Sequence, residues 1–319
     1  MHSLGTLEET AALVHAAMPP TPQYCWPLLS ARVGAEVWVK HENHTPIGAF
    51  KIRGGFAYLA ELRRREPDCP GIVSATRGNH GQSLALATRR LGLPATIVVP
   101  YGNSVEKNAA MRGFGASLVE HGADFQEAAE FAEALAAERR LHFVRSFGPL
   151  LVAGVASYAL ELFRAVADLD TVYVPIGMGS GICGTIAARD ALGLKTRIVG
   201  VVAAGAPAYA LSFEAGRPVA TNRADTIADG LACRRPDPLA VETIRRGADR
   251  IVTVSDEEIG AAMRALFVDT HNVAEGAGAA ATAALLQERA AMSGRRVAVI
   301  LSGGNIDRDL YLRAIGAEA

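Results

Sequence analysis

Short apolar runs recur along this chain, each separated from the next by a longer segment with helical spacing, and that rhythm restricts the fold more than any other feature. Glu36–His41, Gly71–Ala75, Ala95–Val99, Ala116–Glu120, Thr171–Ile176, Arg197–Ala203, Arg250–Val254 and Arg296–Leu301 read as strands. Ala49–Arg65, Asn79–Leu91, Val105–Phe114, Phe125–Arg139, Val152–Ala165, Ile182–Leu192, Asp256–Asp269 and Ala277–Ala290 read as helices, with a last helix near the end. Alternation of this kind predicts α/β units on parallel sheets. Runs such as TIVVP and AVILS are apolar throughout, as expected of strands covered on both faces. The pattern forms two series, so two sheets are expected, the first spanning about Gly71 to Phe147. Ligands of such sheets bind beyond the carboxyl ends of the strands, so the segments that follow strands are where chemistry should lie.

Composition removes several function classes. Half of the 319 residues are hydrophobic, which excludes a disordered chain. Basic and acidic residues number 32 and 33, a net charge of −1, so nothing marks a nucleic-acid or anionic-membrane partner. The longest nearly apolar stretch, Ile198–Leu211, is interrupted by glycines and a proline and is too short to span a bilayer. The N-terminus has no basic region followed by an apolar one, so no signal peptide is expected. Cys25, Cys69, Cys183 and Cys233 are far apart and make no metal-ligand spacing, which suits a reducing cytoplasm.

The strand TVYVPI runs into GMGSGICGT, Gly177 to Thr185, and then a helix. Glycines let backbone N–H groups approach an anion, and a helix N-terminus adds its dipole, so this turn suits a phosphate. A taut strand-to-helix turn without a ligand is the plainer reading. Gly179, Gly181 and Gly184 also spell a dinucleotide fingerprint, but that motif needs an acidic residue at the end of the next strand. Here RIVGVVAAG ends in Ala and Gly, which counts against a nicotinamide cofactor and an oxidoreductase.

Only four lysines occur: Lys40, Lys51, Lys107 and Lys195. Lys51 lies in TPIGAFKIRGG at a loop-to-helix junction, between Phe50 and Ile52. Apolar neighbours lower an amine's pKa, as a Schiff-base lysine requires, although a solvated lysine in a first helical turn would look the same. The strand GIVSA is followed by Thr76-Arg77-Gly78-Asn79-His80-Gly81-Gln82, a polar loop at a helix start suited to a carboxylate or to capping. Near the end, VAVIL leads into Ser302-Gly303-Gly304-Asn305, where a hydroxyl could serve a ligand nitrogen or cap the next turn.

Taken in order and spacing, TPIGAFKIRGG, TRGNHGQ, GMGSG and LSGGNID resemble the fold-type II pyridoxal-phosphate enzymes, most closely the threonine/serine dehydratase and serine racemase branch. The resemblance covers nearly the whole chain. It implies the tryptophan synthase β-like fold, two parallel-sheet α/β domains with the cofactor between them: a large domain of residues 1–65 and 148–319 and a small inserted domain of residues 66–147. It implies that Lys51 holds pyridoxal phosphate as a Schiff base, that Phe50 packs by its ring and that Asn79 bonds its 3-hydroxyl. Gly177, Met178, Gly179, Ser180 and Gly181 would cradle the phosphate, and Ser302 would face the pyridine nitrogen. Thr76, Arg77, Gly78, Asn79 and His80 would surround the substrate. Glu275, in HNVAEGAGA, matches an acidic position near the cofactor.

The implied reaction is α,β-elimination from a β-hydroxy amino acid, giving a 2-oxo acid and ammonia, with Lys51 as the base. A β-replacement synthase of the same fold is the alternative. Departures from the branch sharpen the reading. Racemases carry a serine two positions before the loop asparagine, where this chain has Arg77, so racemisation should be weak. Metal-dependent members place acidic ligands after the strand matching Arg197–Ala203, whereas Val201 to Ala210 holds no Asp or Glu, so no such cation site is expected. Arg77 could pair with an anionic side chain or stack on an aromatic one, which adds 3-hydroxyaspartate and 3-phenylserine to threonine and serine as candidate substrates. Pro207–Gly216 and Ser146–Leu151 are the candidates for contacting the β-substituent. The resemblance also implies a homodimer or homotetramer and, with so little chain after Asn305, no room for a C-terminal regulatory domain.

Overall fold

A computed structural model describes residues 2–316. Ten strands build two sheets: β1 (Gln23–Cys25), β2 (Glu36–His41), β3 (Ile72–Ala75), β4 (Ala95–Val99), β5 (Ser117–Glu120), β6 (His142–Phe143), β7 (Thr171–Pro175), β8 (Arg197–Ala203), β9 (Arg250–Val254) and β10 (Arg296–Leu301). The larger sheet runs β1-β2-β10-β7-β8-β9, and the smaller β5-β4-β3-β6. Every pairing is parallel except that of the edge strand β1 with β2. All four strands of the smaller sheet lie between Ile72 and Phe143.

Past their first residues, the central strands β7, β8 and β10 are apolar because both faces are covered. Side chains alternate across a strand, so β10 sends Ala298 and Ile300 to one core and Val297, Val299 and Leu301 to the other. Helices Pro149–Ala165 and Ser180–Ala191 cover the first face, and Asp256–Thr270 and Gly276–Gln287 the second. The sequence GAGAAATAALLQ of the last helix supplies small side chains, so the helix lies close under the strands with Ala279, Ala280, Ala281 and Ala284 fully buried.

Helix Lys51–Arg65 is fixed where it begins. Arg53, two residues after Lys51, is entirely buried, bonding Glu42 at 2.7 Å and Glu161 at 2.6 Å. Breaking such a buried pair costs about 3–5 kcal/mol, so the turn that carries Lys51 has little freedom to shift.

The structure departs from the sequence reading chiefly at element ends. Helix Ser180–Ala191 starts two residues earlier than its apolar pattern indicates, because left-handed Gly179 (φ 97°) is the cap and Ser180 and Gly181 form the first turn. Helix Pro149–Ala165 likewise starts earlier, with proline in the first turn, where a missing N–H costs nothing. The stretch read as Ala277–Ala290 is two helices, Gly276–Gln287 and Arg289–Met292. Helices Leu4–Ala17, Pro27–Val33 and Pro238–Gly247 and the very short strands β1 and β6 were not legible. Among the described residues no helix is long and apolar enough to cross a membrane.

Candidate active site

The segments that follow strands converge. Lys51 comes after β2, Thr76–Gly78 after β3, Gly177–Gly179 after β7 and Ser302 after β10. Backbone bonds knit two of them: the Phe50 N–H donates to the Ser302 carbonyl at 3.0 Å and the Gly304 N–H to the Gly48 carbonyl at 2.9 Å. Ser83, on the helix that begins at Asn79, donates to the Lys51 carbonyl at 2.7 Å. The result is one cavity of about 830 Å³, open on one side, between the two sheets. Every residue expected at the cofactor or in the substrate loop lines it: Phe50 and Lys51, Thr76 to His80, Gly177 to Gly181, Glu275 and Ser302.

Lys51 has no acidic partner among the described residues. Its Nζ donates to Ser180 Oγ at 3.0 Å, and burial lowers its pKa to about 8. The neutral, nucleophilic amine is therefore a far larger minority near physiological pH than it is for an ordinary lysine.

The glycine turn presents backbone where side chains would obstruct. A Cβ on Gly177 would lie 2.1 Å from the Gly230 carbonyl oxygen, and Gly179 has a left-handed backbone. A Cβ on Gly181, by contrast, would meet no protein atom nearer than 3.5 Å. The protein alone therefore gives no reason for glycine at 181. An anion lying against the first turn of helix Ser180–Ala191 would, since that turn offers N–H groups without intrahelical acceptors. Tyr158 donates to the Gly181 carbonyl and Tyr209 to the Met178 carbonyl, each at 2.9 Å, holding the turn from behind.

Ser302 is buried, and its hydroxyl makes only a long contact with the Ala277 carbonyl at 3.4 Å. Asn79 is held at both ends: its amide nitrogen donates to Glu275 Oε1 at 2.5 Å, and its oxygen accepts from Asn305 at 2.8 Å. One N–H of that amide remains for a ligand. The Thr76 hydroxyl shapes its own loop, accepting from the Gly78 N–H at 2.9 Å and the Gly81 N–H at 3.3 Å. His80 is buried with no partner at Nε2, and burial together with the nearby Lys51 charge lowers its pKa to about 3, so the ring is neutral. Arg77 Nε is likewise enclosed without an acceptor.

Sequence reasoning missed the second layer. Lys107 and Asp229 also line the cavity, and Lys107 Nζ donates to Asp229 at 2.6 Å and to Glu275 at 3.0 Å. The one signal for Lys107 was the scarcity of lysine. Nothing in the order of residues places Asp229 beside it, because they are brought together by different sheets. Of the segment Ser146–Leu151 only Ser146 lines the cavity, and no residue of helix Ala208–Ala215 does.

These features fit pyridoxal phosphate: a buried amine of lowered pKa, a glycine turn open at Gly181, and a buried, barely engaged hydroxyl at Ser302. Comparison with known proteins agrees. Residues 14–303 match the family model described as pyridoxal-phosphate dependent enzyme. The chain is 36% identical over 289 residues to the L-threonine ammonia-lyase of Thermotoga maritima, covering 90% of this chain and 72% of that protein. It is 32% identical over 307 residues to the biosynthetic L-threonine dehydratase of Haemophilus influenzae, spanning 95% of this chain but only 60% of that relative. Among solved structures it is similar to maize serine racemase, with a TM-score of 0.91, 26% identity, and coverage of 98% of this chain and 97% of that one.

Proposed function

We propose that this chain, which belongs to the family of pyridoxal-phosphate dependent enzymes, is an ammonia-lyase that dehydrates β-hydroxy L-amino acids of the threonine and serine type. The observation that carries the reading is the buried Lys51 amine, bonded to Ser180 at the glycine turn within one cavity. Pyridoxal phosphate, when bound, supplies the electron sink for negative charge developing at the substrate α-carbon.

This chain's residues do the rest. Lys51 would hold the cofactor through Nζ and, when free of it, would accept the α-proton at that atom. Its lowered pKa suits both tasks, because the amine must be neutral for each. Ser180 orients Nζ through its hydroxyl, and the N–H groups of the Gly177–Gly181 turn hold the phosphate. Ser302 offers the pyridine nitrogen a neutral hydroxyl. A neutral hydroxyl would not hold a proton on that nitrogen as a carboxylate would, so the sink it supports would be tempered and would favour prompt loss of the β-hydroxyl. The Thr76–His80 loop binds the substrate carboxylate with backbone N–H groups. With Arg77 where the branch's racemases have serine, the loop offers no hydroxyl base to return a proton to the other face. The α-proton and the β-hydroxyl leave as water. One water then hydrolyses the C–N linkage, releasing ammonia and a 2-oxo acid.

The test is to incubate the cofactor-loaded protein separately with L-threonine, L-serine, L-threo-3-phenylserine and L-threo-3-hydroxyaspartate and to assay 2-oxo acid and ammonia in equal amounts. Turnover supports the lyase. No turnover of any, with the visible absorbance of the bound cofactor present, overturns dehydration of these amino acids in favour of β-replacement or a substrate outside the four.

A further inference from the structure

The Lys51 cavity does not end at Arg77. A second cavity, of about 1010 Å³, shares Arg77, Phe125, Met178, Ala232 and Cys233 with it and continues outward. The charged side chains of this outer cavity are Arg77, Arg223, Arg234 and Arg235 against Asp124 and Asp225. Positive groups outnumber negative ones, so the approach attracts anions.

The arginines differ in how they are occupied. Arg234, whose Nε is also enclosed without an acceptor, is bonded through Nη1 to Asp124, which also caps the helix beginning at Phe125, and Arg235 lies 4.0 Å from Glu130. Arg77, at the wall between the cavities, makes no hydrogen bond or ion pair among the described residues, and its Nε is enclosed without an acceptor. A buried donor left unmade costs about 1–3 kcal/mol, so its retention at a cavity wall calls for an acceptor supplied from outside. The backbone that carries it is fixed. Thr76 Oγ1 accepts from the N–H groups of Gly78 and Gly81, and Gly78 (φ 152°) is pressed so closely on the Lys107 stem that a Cβ there would lie 2.4 Å from Lys107 Cδ.

We propose that Arg77 is a specificity residue for substrates that carry a second carboxylate on the β-carbon, the 3-hydroxyaspartate class. The inference rests on the lyase reading above and names the substrate of that same site. A carboxylate satisfies the guanidinium's in-plane donors with two parallel bonds, whereas an aromatic ring would cover its face and leave Nε unpaired. The balance is that of the parent reaction. The Cα–H and Cβ–O bonds break, water leaves, one water returns in hydrolysis, and 3-hydroxyaspartate yields oxaloacetate and ammonia with no oxidant.

The test compares wild type, Arg77→Gln and Arg77→Lys, all cofactor-loaded, on the four amino acids. The expected result is that the ratio of kcat/KM for 3-hydroxyaspartate to that for threonine falls at least about thirtyfold in Arg77→Gln and by less in Arg77→Lys, which keeps charge but not the fork. An unchanged ratio, loss confined to 3-phenylserine, or wild-type turnover of threonine without 3-hydroxyaspartate overturns the proposal. Calorimetry separates it from the lyase reading: wild type should bind L-aspartate, which has no β-hydroxyl to lose, at least about tenfold more tightly than L-alanine, and Arg77→Gln should abolish that preference. Equal binding in wild type overturns the assignment of Arg77 whatever the turnover assays show, whereas the preference without turnover of any substrate rejects only the lyase.

Discussion

Lys107 holds Glu275: its ammonium donates at 3.0 Å to a carboxylate that is 2% exposed and that in turn positions Asn79. Burial raises the Glu275 pKa and the Lys107 charge opposes that rise, while the two acids hold Lys107 well above the usual lysine value. Replacing Lys107 with Met leaves Glu275 and Asp229 facing each other without a cation, and Glu275 rises further. A carboxyl whose folded pKa is raised loses stability as pH climbs from its unfolded value to its folded one. Lys107→Met should therefore be destabilised by about 3–5 kcal/mol at pH 7 and by clearly less near pH 5. Adding Glu275→Gln should recover part of the loss. Denaturant unfolding at both pH values checks this, and a pH-independent deficit would contradict it.

Lys51 sets a second pH dependence. Its pKa of about 8 comes from burial, so in the cofactor-free protein the amine is mostly protonated below that pH. The neutral fraction then grows about tenfold per unit and levels off above pH 8. Acetylation of Lys51 in the cofactor-free protein, followed by mass spectrometry, should show a midpoint near 8. The exposed Lys195 is the internal reference for the acetylation reaction. Coincident midpoints would show that burial does not tune Lys51.

Much of the site was legible because its chemistry is carried by contiguous motifs at strand ends. TPIGAFKIRGG, TRGNHGQ, GMGSG and LSGGN each keep their functional atoms within a few residues, and a parallel sheet delivers strand ends to one place. What escaped is of two kinds. Lys107, Asp229 and Asn305 owe their roles to distant partners, and a sequence holds no sign of which acid will meet which lysine. Strands β1 and β6 and helix Leu4–Ala17 escaped for a different reason. The strands have three and two residues, and the helix buries only Leu7, Ala11 and Val14, so their patterns are too short or too sparse to register.

Ser302 offers a test of how the reaction partitions. The hydroxyl is buried and almost free of protein bonds, so Ser302→Ala should retain the fold and bind the cofactor. Ser302→Asp would place a carboxylate where it can hold a proton on the pyridine nitrogen. That strengthens the sink, prolongs carbanion character at the α-carbon and allows proton return. Because Lys51 returns the proton to the face it came from, the expected outcome in D2O is slower release of 2-oxo acid with more α-deuterium in the recovered L-amino acid, read by mass spectrometry beside the oxo-acid assay. An unchanged partition would remove Ser302 from the argument.

Gly177 and Gly181 lie in the same turn, yet their alanine variants should fail in different ways. At Gly177 the new Cβ would sit 2.1 Å from the Gly230 carbonyl oxygen, and a backbone atom cannot move without its segment. Gly177→Ala should cost about 1–3 kcal/mol, as overpacking of a tight site does, and cofactor binding should fall with it. At Gly181 the nearest protein atom is the Tyr158 hydroxyl at 3.5 Å, and alanine in a helix is favoured over glycine by up to about 1 kcal/mol. Gly181→Ala should therefore be at least as stable as wild type without cofactor, yet bind pyridoxal phosphate at least about tenfold more weakly, because its methyl group occupies the anion's place. Thermal unfolding of the cofactor-free proteins and equilibrium titration with pyridoxal phosphate separate the two. If Gly181→Ala bound the cofactor as wild type does, the phosphate would have to lie elsewhere than against the first turn of helix Ser180–Ala191.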